Sequence, residues 1–399
     1  MGLQVVEGRK RGFVSLAAHP AGCEGMVRLQ AEHARRPSGR WSGGNLLVVG
    51  ASTGYGLASR IAGAFGHGMD SVGVFYGRPP SARRTASPGW YNTAAFDAMA
   101  RSAGLRAFHV DGDAFSAYVL ERTLETVQRE LGQLDVVVYS LAAPRRTDPL
   151  TGSVYRAVLK TIGRPMVIKS VGLDDGRVHH VSLEAAAADE IDATVAVMGG
   201  ADLRRWVRAL VSADLLAPEA RVVAYSYIGP QVTWPVYRHG TIGRAKVDLE
   251  ETCADLHDRL AVVTGGSCRV AICKSIVSQA SSAIPAVPLY MSLLFRVMKE
   301  AGTHEGPIEQ MVRLFDMLAA DRAPATDEEG RIRLDEAEMQ PEIQDEVMRR
   351  WHLVDDANLR ELSDYEGFRR YFDQLFGFQV PGVDYAAPVE TDVDLALVR

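Results

Sequence analysis

The stretch LLVVGASTGYG, residues 46–56, decides the fold of this chain. Four apolar residues closed by a glycine are typical of a strand buried on both faces of a parallel sheet. Residues 57–65 then repeat apolar side chains at helical spacing. Glycines between a strand and a helix let a phosphate approach the backbone, and the helix N-terminus offers free N–H groups. The stretch predicts a strand–turn–helix unit that binds a dinucleotide, with a tight turn that binds nothing as the alternative.

Apolar strands and amphipathic helices alternate along the rest of the chain. We predict further strands at residues 71–76, 106–110, 135–141, 221–228 and 269–276, and helices at 117–131 and within 286–320. This alternation predicts an α/β fold with a Rossmann-type, doubly wound parallel sheet and additional helices.

Three other regions complete the outline. Residues 145–191 show no regular hydrophobic period, which predicts a small excursion lobe outside the sheet. The charged residues 328–350 predict a solvated helix or turn. The aromatic, glycine-rich residues 371–385 predict a packed tail. We see no domain boundary and expect one enlarged domain over residues 1–399. Its cofactor-binding part would span about 45–145 and its catalytic and substrate part about 220–320.

The composition excludes several classes of function. The 399 residues carry a net charge of −6, so there is no basic field for nucleic acid. The four cysteines match no zinc spacing, and no metal site is predicted. There is no signal peptide pattern and no apolar run of about 18 residues, so neither export nor a membrane partner is expected. A cytoplasmic location is the prediction.

Candidate ligand contacts follow the predicted strands at one edge of the sheet. They begin with the turn Gly50, Ala51, Ser52, Thr53, Gly54, Tyr55 and Gly56. Asp113 follows the third strand, where a carboxylate can accept from an adenine amino group, although a helix-start role is the alternative. Leu141 and Ala142 end the fourth strand and leave room for a ribose. Carboxyl ends of strands are where open α/β sheets bind ligands.

Tyr237 and Lys246 form a candidate catalytic pair. A phenol has a pKa of about 10, and a nearby ammonium group favours its anion. Such a tyrosine can donate to an oxygen on which charge develops. The alternative is a core tyrosine beside a surface lysine. The chain contains no Tyr-x3-Lys motif, which argues against an ordinary short-chain ketoreductase.

Taken together, the motifs resemble one family. In chain order they read GASTGYGLASR, GWYN, GDAF, VVYSLAAPRR, ATVAVMGG, AYSYIG, TWPVY, SQASSAIP, PLY, HEG and LFGF. This set resembles the FabV-type trans-2-enoyl-CoA/enoyl-ACP reductases, enlarged and typically monomeric relatives of the short-chain dehydrogenases. The resemblance covers nearly the whole chain. It implies reduction of the 2,3-double bond of enoyl-CoA or enoyl-acyl carrier protein thioesters in fatty-acid synthesis, usually with NADH.

The resemblance also implies roles for single residues. Tyr237 matches the proton-donating tyrosine, Lys246 the cofactor-binding lysine, and Tyr227 the tyrosine that contacts substrate. The implied cofactor contacts are the turn Gly50–Gly56, Asp113, Ala114, Leu141, Ala142, Ile276, Val277 and Ser278.

One departure from the family concerns the cofactor. The family typically reads Phe-Phe-Glu after the second strand, whereas this chain reads Phe75-Tyr76-Gly77-Arg78. An acidic residue there bonds the adenosine ribose hydroxyls and disfavours a 2′-phosphate. Because Gly77 removes the carboxylate, Arg78 could meet that phosphate. Tyr76, Gly77 and Arg78 are therefore further candidate cofactor contacts, and the choice between NADH and NADPH stays open.

Other points stay open as well. The first alternative function is a carbonyl reductase acting on 3-oxoacyl thioesters, and the second is a non-catalytic, dinucleotide-sensing module. Arg145 and Arg146 either bind phosphates of the thioester carrier or form structural salt bridges with acidic residues. His304 and Glu305 of the HEG motif are expected to support a helix end rather than catalysis.

Overall fold

The computed structural model describes residues 3–11, 14–35, 43–141, 143–320 and 323–398. The strands, in chain order, are β1 (Lys10–Arg11), β2 (Val14–Ser15), β3 (Asn45–Val49), β4 (Asp70–Phe75), β5 (Ala107–Asp111), β6 (Leu134–Tyr139), β7 (Arg145–Thr147), β8 (Val154–Arg156), β9 (Met166–Val171), β10 (Val178–Leu183), β11 (Leu216–Ser226), β12 (Ser267–Ile272) and β13 (Ile332–Arg333).

Single helices or groups of successive helices lie between these strands and after the last one. They are α1 (Pro20–Ala34), α2 (Gly54–Ile61), α3 (Pro88–Ser102), α4 (Ala117–Thr126), α5 (Ala188–Met198), α6 (Ala201–Ser212), α7 (Trp234–Tyr237), α8 (Thr241–Val263), α9 (Gln279–Ser282), α10 (Val287–Glu300), α11 (Pro307–Ala319), α12 (Pro341–Leu353), α13 (Leu359–Leu362) and α14 (Tyr365–Gln374). Short π-helical segments extend α2 and α4, over Ala62–Gly66 and Val127–Leu131. No helix of the described ranges is both long enough and apolar enough to cross a membrane.

Seven parallel strands form the central sheet, in the order β13-β12-β11-β6-β3-β4-β5. The chain enters at β3, moves outward through β4 to β5, and then crosses back to β6 on the other side of β3. The direction of winding reverses between β3 and β6, so loops on the two sides diverge there and open a crevice at the carboxyl edge. The predicted doubly wound parallel sheet is confirmed.

The two faces of the sheet carry separate apolar cores because successive side chains of a strand point to opposite faces. On β3, Leu46 and Val48 pack with residues of α2, α3 and α11. Leu47 and Val49 pack with residues of α6 and α8 on the other face. Burial on both faces explains why the predicted strand reads as an uninterrupted apolar run.

The predicted excursion lies between β6 and α5. It consists of two antiparallel hairpins, β7–β8 and β9–β10, which do not join the main sheet. The packed tail is also confirmed, because Phe372, Phe376 and Val380 are buried.

The prediction for residues 328–350 is wrong in part. Ile332 is buried and belongs to β13, which pairs with β12 at the edge of the main sheet. Glu338, beyond this strand, is completely buried. The many charged residues of this stretch predicted exposure to solvent. Arg333 and Asp335 instead form an ion pair at 2.8 Å, so their charges neutralise each other next to the core.

We expect the chain to unfold as one cooperative unit. Strand β13 comes from the C-terminal third of the chain and extends a sheet that begins at β3, and Glu338 bonds residues that follow β11 and β12. Scanning calorimetry should show one transition with equal calorimetric and van't Hoff enthalpies. Two resolved transitions would contradict a single domain.

Candidate functional site

A cavity of about 690 Å³ opens at the carboxyl edge of the sheet. This volume lies within the range of about 300–1,000 Å³ that is usual for ligand and cofactor sites. Its wall is built from the loops that follow β3, β4, β5, β6, β11 and β12. The cavity therefore lies at the switch point between β3 and β6.

The glycine turn between β3 and α2 forms one wall of the cavity. A Cβ on Gly56 would lie 1.9 Å from the carbonyl oxygen of Gly50, so only glycine lets the turn close. Gly54 has a φ of +54°, a conformation that favours glycine. Thr53 precedes α2 without a side-chain capping bond, which leaves N–H groups of the first turn available to a ligand. This arrangement fits the pyrophosphate of a dinucleotide.

Most of the predicted site residues line this cavity. They are Gly50, Ser52, Thr53, Gly54, Tyr55, Tyr76, Asp113, Ala114, Leu141, Tyr227, Tyr237, Lys246, Ile276 and Ser278. Five lie behind or beside the lining, namely Ala51, Gly56, Gly77, Arg78 and Val277. Ala51 and Val277 do not line the cavity because their side chains pack into apolar clusters. Ala142 lies outside the described residues.

Tyr237 and Lys246 come from two successive helices. Tyr237 is the last residue of the short helix α7, and Lys246 lies in the second turn of α8. The Lys246 Nζ donates to the Ser226 Oγ at 3.2 Å, at the end of β11. Burial lowers the pKa of Lys246 to about 8.

Lys246 does not lower the pKa of Tyr237 in this structure. Burial raises the pKa of Tyr237, and the negative charge of Glu338 raises it further. The nearby ammonium group instead bonds a serine of β11. Tyr237 therefore stays a neutral phenol that can donate a hydrogen bond into the cavity.

A buried polar cluster that was not predicted from the sequence lies behind the cavity wall. The carboxylate of Glu338 accepts hydrogen bonds from the hydroxyl groups of Tyr227 at 2.9 Å and Tyr290 at 2.7 Å. It also accepts from the backbone N–H of Ser275 at 2.7 Å. Lys274, which is buried, lines the cavity, and burial lowers its pKa to about 8. Glu338 leaves no local signal because it lies in a charged stretch without periodicity.

The backbone of Gly77 and Arg78 is fixed beside the cavity. The Gly77 N–H donates to Asp111 at 2.7 Å, and the Arg78 N–H donates to the Ser87 hydroxyl at 3.0 Å. A Cβ on residue 77 would come within 2.6 Å of the Phe75 ring. The exposed Arg78 side chain forms no ion pair within the described part of the chain. Its guanidinium group is therefore available to an anion.

Arg145 and Arg146 have different surroundings and different roles. Arg146 is buried, donates to the carbonyl oxygen of Ala196 at 2.8 Å and lies over the ring of Phe115, so its role is structural. Arg145 is exposed and lines the cavity. Only Arg145 stays a candidate for binding a phosphate of the thioester carrier.

The HEG motif supports a helix, as expected. His304 stacks on Tyr371 with a centroid distance of 5.8 Å. Glu305 forms an ion pair with Arg313 of α11 at 2.8 Å.

Three family models match the chain in succession. They are described as the NAD(P)H binding domain of trans-2-enoyl-CoA reductase over residues 5–82, the trans-2-enoyl-CoA reductase catalytic region over 84–318, and the enoyl reductase FAD binding domain over 326–389. The chain belongs to the trans-2-enoyl-CoA reductase family. The family, the enzyme class and the nicotinamide cofactor predicted from the sequence are thereby confirmed.

Individual relatives agree with this membership. The chain is 48% identical to the enoyl-[acyl-carrier-protein] reductase [NADH] of Erwinia tasmaniensis over 98% of both chains. It is 49% identical to the protein of that name from Opitutus terrae, over 98% of this chain and 100% of the relative. The trans-2-enoyl-CoA reductase of Treponema denticola in complex with NAD superposes with a TM-score of 0.93 at 39% identity, covering 98% and 100% of the two chains.

The third model's description names FAD, but residues 326–389 do not fit a flavin site. Helices α12 and α14 pack against α10, and Phe368 and Phe372 are fully buried there. Among the described residues of this segment, Leu375 alone lines the cavity. The carboxylate that approaches the site, Glu338, already accepts three hydrogen bonds. The segment closes the reductase core instead of holding a second cofactor.

We expect the affinity for NADH to fall as the pH rises through about 8, where Lys246 loses its proton. Burial lowers this pKa, so the ammonium form prevails below it and is lost above it. Loss of a charge-assisted hydrogen bond should weaken binding by about tenfold. Calorimetric titration on both sides of this pH measures the change.

The matched control is Lys246→Met, which should bind NADH weakly and without the pH step. Lys274 has a similarly lowered pKa. A step that persists in Lys246→Met would assign the titration to Lys274 and contradict the prediction.

Proposed function

We propose that this protein reduces trans-2-enoyl thioesters, with Tyr237 as the hydrogen-bond donor to the thioester oxygen and Lys246 as the cofactor-binding residue. The observation that carries the proposal is that both residues line the same cavity as the glycine turn. When bound, the reduced nicotinamide supplies a hydride for the β-carbon of the enoyl chain. Electrons of the double bond then move onto the thioester oxygen.

Tyr237 acts on that oxygen. Because its phenol stays neutral, it donates a hydrogen bond to the negative charge as this charge develops. The α-carbon then takes a proton from solvent, which yields the saturated thioester. Tyr227 lies against Tyr237 and forms the adjoining wall for the acyl chain.

We propose further that the cofactor lies along the strand ends. The pyrophosphate would contact the turn from Gly50 to Gly56, with the adenine near Asp113. Ile276 and Ser278, where the chain leaves β12, line the cavity and would flank the nicotinamide end. Leu141 would border the ribose.

The contact with the thioester carrier is inferred from the same cavity. Arg145, at the cavity wall, is the residue we assign to a phosphate of coenzyme A or of the acyl carrier protein arm. The resemblance to the family, whose members are typically monomeric, supports a monomer as the working unit. We propose that it acts in the cytoplasm in fatty-acid synthesis.

The chain should also accept NADPH beside NADH. Gly77 lies two residues beyond the end of β4 and carries no carboxylate, and the guanidinium group of the adjoining Arg78 forms no ion pair with the residues that the structure describes. Guanidinium groups bind phosphate through two parallel hydrogen bonds, which suits a ribose 2′-phosphate.

Tyr237→Phe should lower kcat with crotonyl-CoA by about 10²- to 10⁴-fold, the usual contribution of a positioned proton donor. The affinity for NADH should stay unchanged, because the phenol contacts the substrate. Loss of absorbance of the reduced nicotinamide measures the rate. Tyr365→Phe is a matched control, since Tyr365 is buried and bonds the carbonyl oxygens of Gly172 and Leu173 away from the cavity. Wild-type turnover in Tyr237→Phe would show that this residue is not the proton donor.

The alternative function, carbonyl reduction, is tested by comparing two substrates. Faster oxidation of the reduced nicotinamide with acetoacetyl-CoA than with crotonyl-CoA would favour carbonyl reduction.

Arg78→Gln should raise KM for NADPH by about tenfold and leave KM for NADH unchanged, because only NADPH carries the 2′-phosphate. Arg106→Gln is the control, since Arg106 precedes β5 at the opposite edge of the sheet and pairs with Asp70. Steady-state kinetics with both cofactors measure the effect. An equal change for both cofactors would contradict a phosphate-binding role.

A further inference from the structure

Glu338 is a fully buried carboxylate that does not line the cavity. It lies in the turn between β13 and α12. Burial of an unpaired carboxylate would be costly, and here three hydrogen bonds offset that cost. Their donors are Tyr227 after β11, Tyr290 on α10 and the backbone of Ser275 after β12.

The three donors leave Glu338 little freedom. Its Oε1 accepts both phenolic hydrogens, and its Oε2 accepts the backbone N–H. Gln344 of α12 anchors the turn by donating to the backbone oxygen of Glu338 at 2.6 Å and to the hydroxyl of Tyr290 at 3.1 Å. The carboxylate is therefore held from the protein side, independently of any ligand.

This arrangement decides what Tyr227 can do. A phenol has one hydrogen to donate, and that of Tyr227 is directed at Glu338, away from the cavity. The ring of Tyr227 meets that of Tyr237 edge to face, at a centroid distance of 4.8 Å and an interplanar angle of 78°. Tyr227 thus supports the ring of Tyr237, and Tyr237 keeps its own hydrogen for the substrate oxygen.

We propose that Glu338 is a positioning residue for the reduction, acting through Tyr227 to hold Tyr237 at the thioester oxygen. The inference rests on the function proposed above. It deepens that function by assigning the two tyrosines different roles, since Tyr227 supports and Tyr237 donates. The charge of Glu338 also raises the pKa of both phenols and so keeps Tyr237 protonated.

The test compares Glu338→Gln, Tyr227→Phe and the double variant. Glutamine keeps the shape but turns an N–H donor toward either the phenols or the Ser275 N–H, so the cluster cannot be fully satisfied. We expect Glu338→Gln and Tyr227→Phe each to lower kcat with crotonyl-CoA by about 10- to 100-fold, the usual effect of small displacements at a reacting centre. KM for NADH should change less than twofold, by about the error of the assay.

The double variant separates a shared role from two separate ones. Because Glu338 acts through Tyr227, the double variant should be no slower than the slower single variant. If the double variant loses kcat by the product of the two single losses, the two residues act independently and the inference is overturned. Glu338→Asp, which keeps the charge but shortens the reach, should be as slow as Glu338→Gln. Full activity of Glu338→Asp would show that charge alone matters and would also overturn it.

Asp335→Asn controls for a loosened turn. Asp335 is a buried carboxylate three residues earlier that pairs with Arg333. The Asp335→Asn variant should have a lower thermal stability and an unchanged kcat. A loss of kcat equal to that of Glu338→Gln would show that Glu338 has only a structural role. An inactive wild-type chain would overturn the proposed function together with this inference. An active wild type, an inactive Tyr237→Phe and an unimpaired Glu338→Gln would overturn this inference alone.

Discussion

The close approach of backbone at the end of β3 is the constraint on which the site depends. A Cβ on Gly50 would lie 2.2 Å from the carbonyl oxygen of Ser140, and one on Gly56 would lie 1.9 Å from the oxygen of Gly50. Without side chains at these positions, β3 and β6 stay paired up to their ends while α2 starts directly above them. The crevice that the reversal of winding opens is therefore bordered by bare backbone. A negatively charged cofactor can reach N–H groups there, and the other loops only have to complete the wall.

The rest of the site places ionisable groups in apolar surroundings. Lys246, Lys274 and Glu338 all lie where burial disfavours their charged forms, as the directions of their pKa shifts show. Each is held by hydrogen bonds to residues at strand ends. Such groups keep their geometry when a ligand displaces water, because their partners belong to the protein. The phenols beside them remain neutral donors.

The sequence predicted the parts of this arrangement that leave a local signal. The apolar run of β3 and its glycine turn are contiguous, and the motifs around Tyr237 and Lys246 are short. Glu338 was not predictable in this way, because its bond to Tyr227 joins residues 111 positions apart and its surroundings are rich in charge. The raised pKa of Tyr237 left no local signal for a related reason. The partner of the ammonium group, Ser226, and the charge that acts on Tyr237 both come from other segments.

The eight residues between Tyr237 and Lys246 have a physical consequence for the chemistry. Tyr237 ends α7, and Gly240 then precedes α8, so the two side chains do not share one helix. A Cβ on Gly243 would lie 2.3 Å from the carbonyl oxygen of Arg238, so glycine allows the two helices to meet at this sharp corner. On one helix, residues three or four apart face each other, and a lysine would act directly on the phenol. The corner instead directs Lys246 to Ser226 and leaves Tyr237 against Tyr227. In the function proposed above, a tyrosine separated in this way from its lysine would donate a hydrogen bond to an enolate oxygen, a task that requires the proton to stay on the phenol.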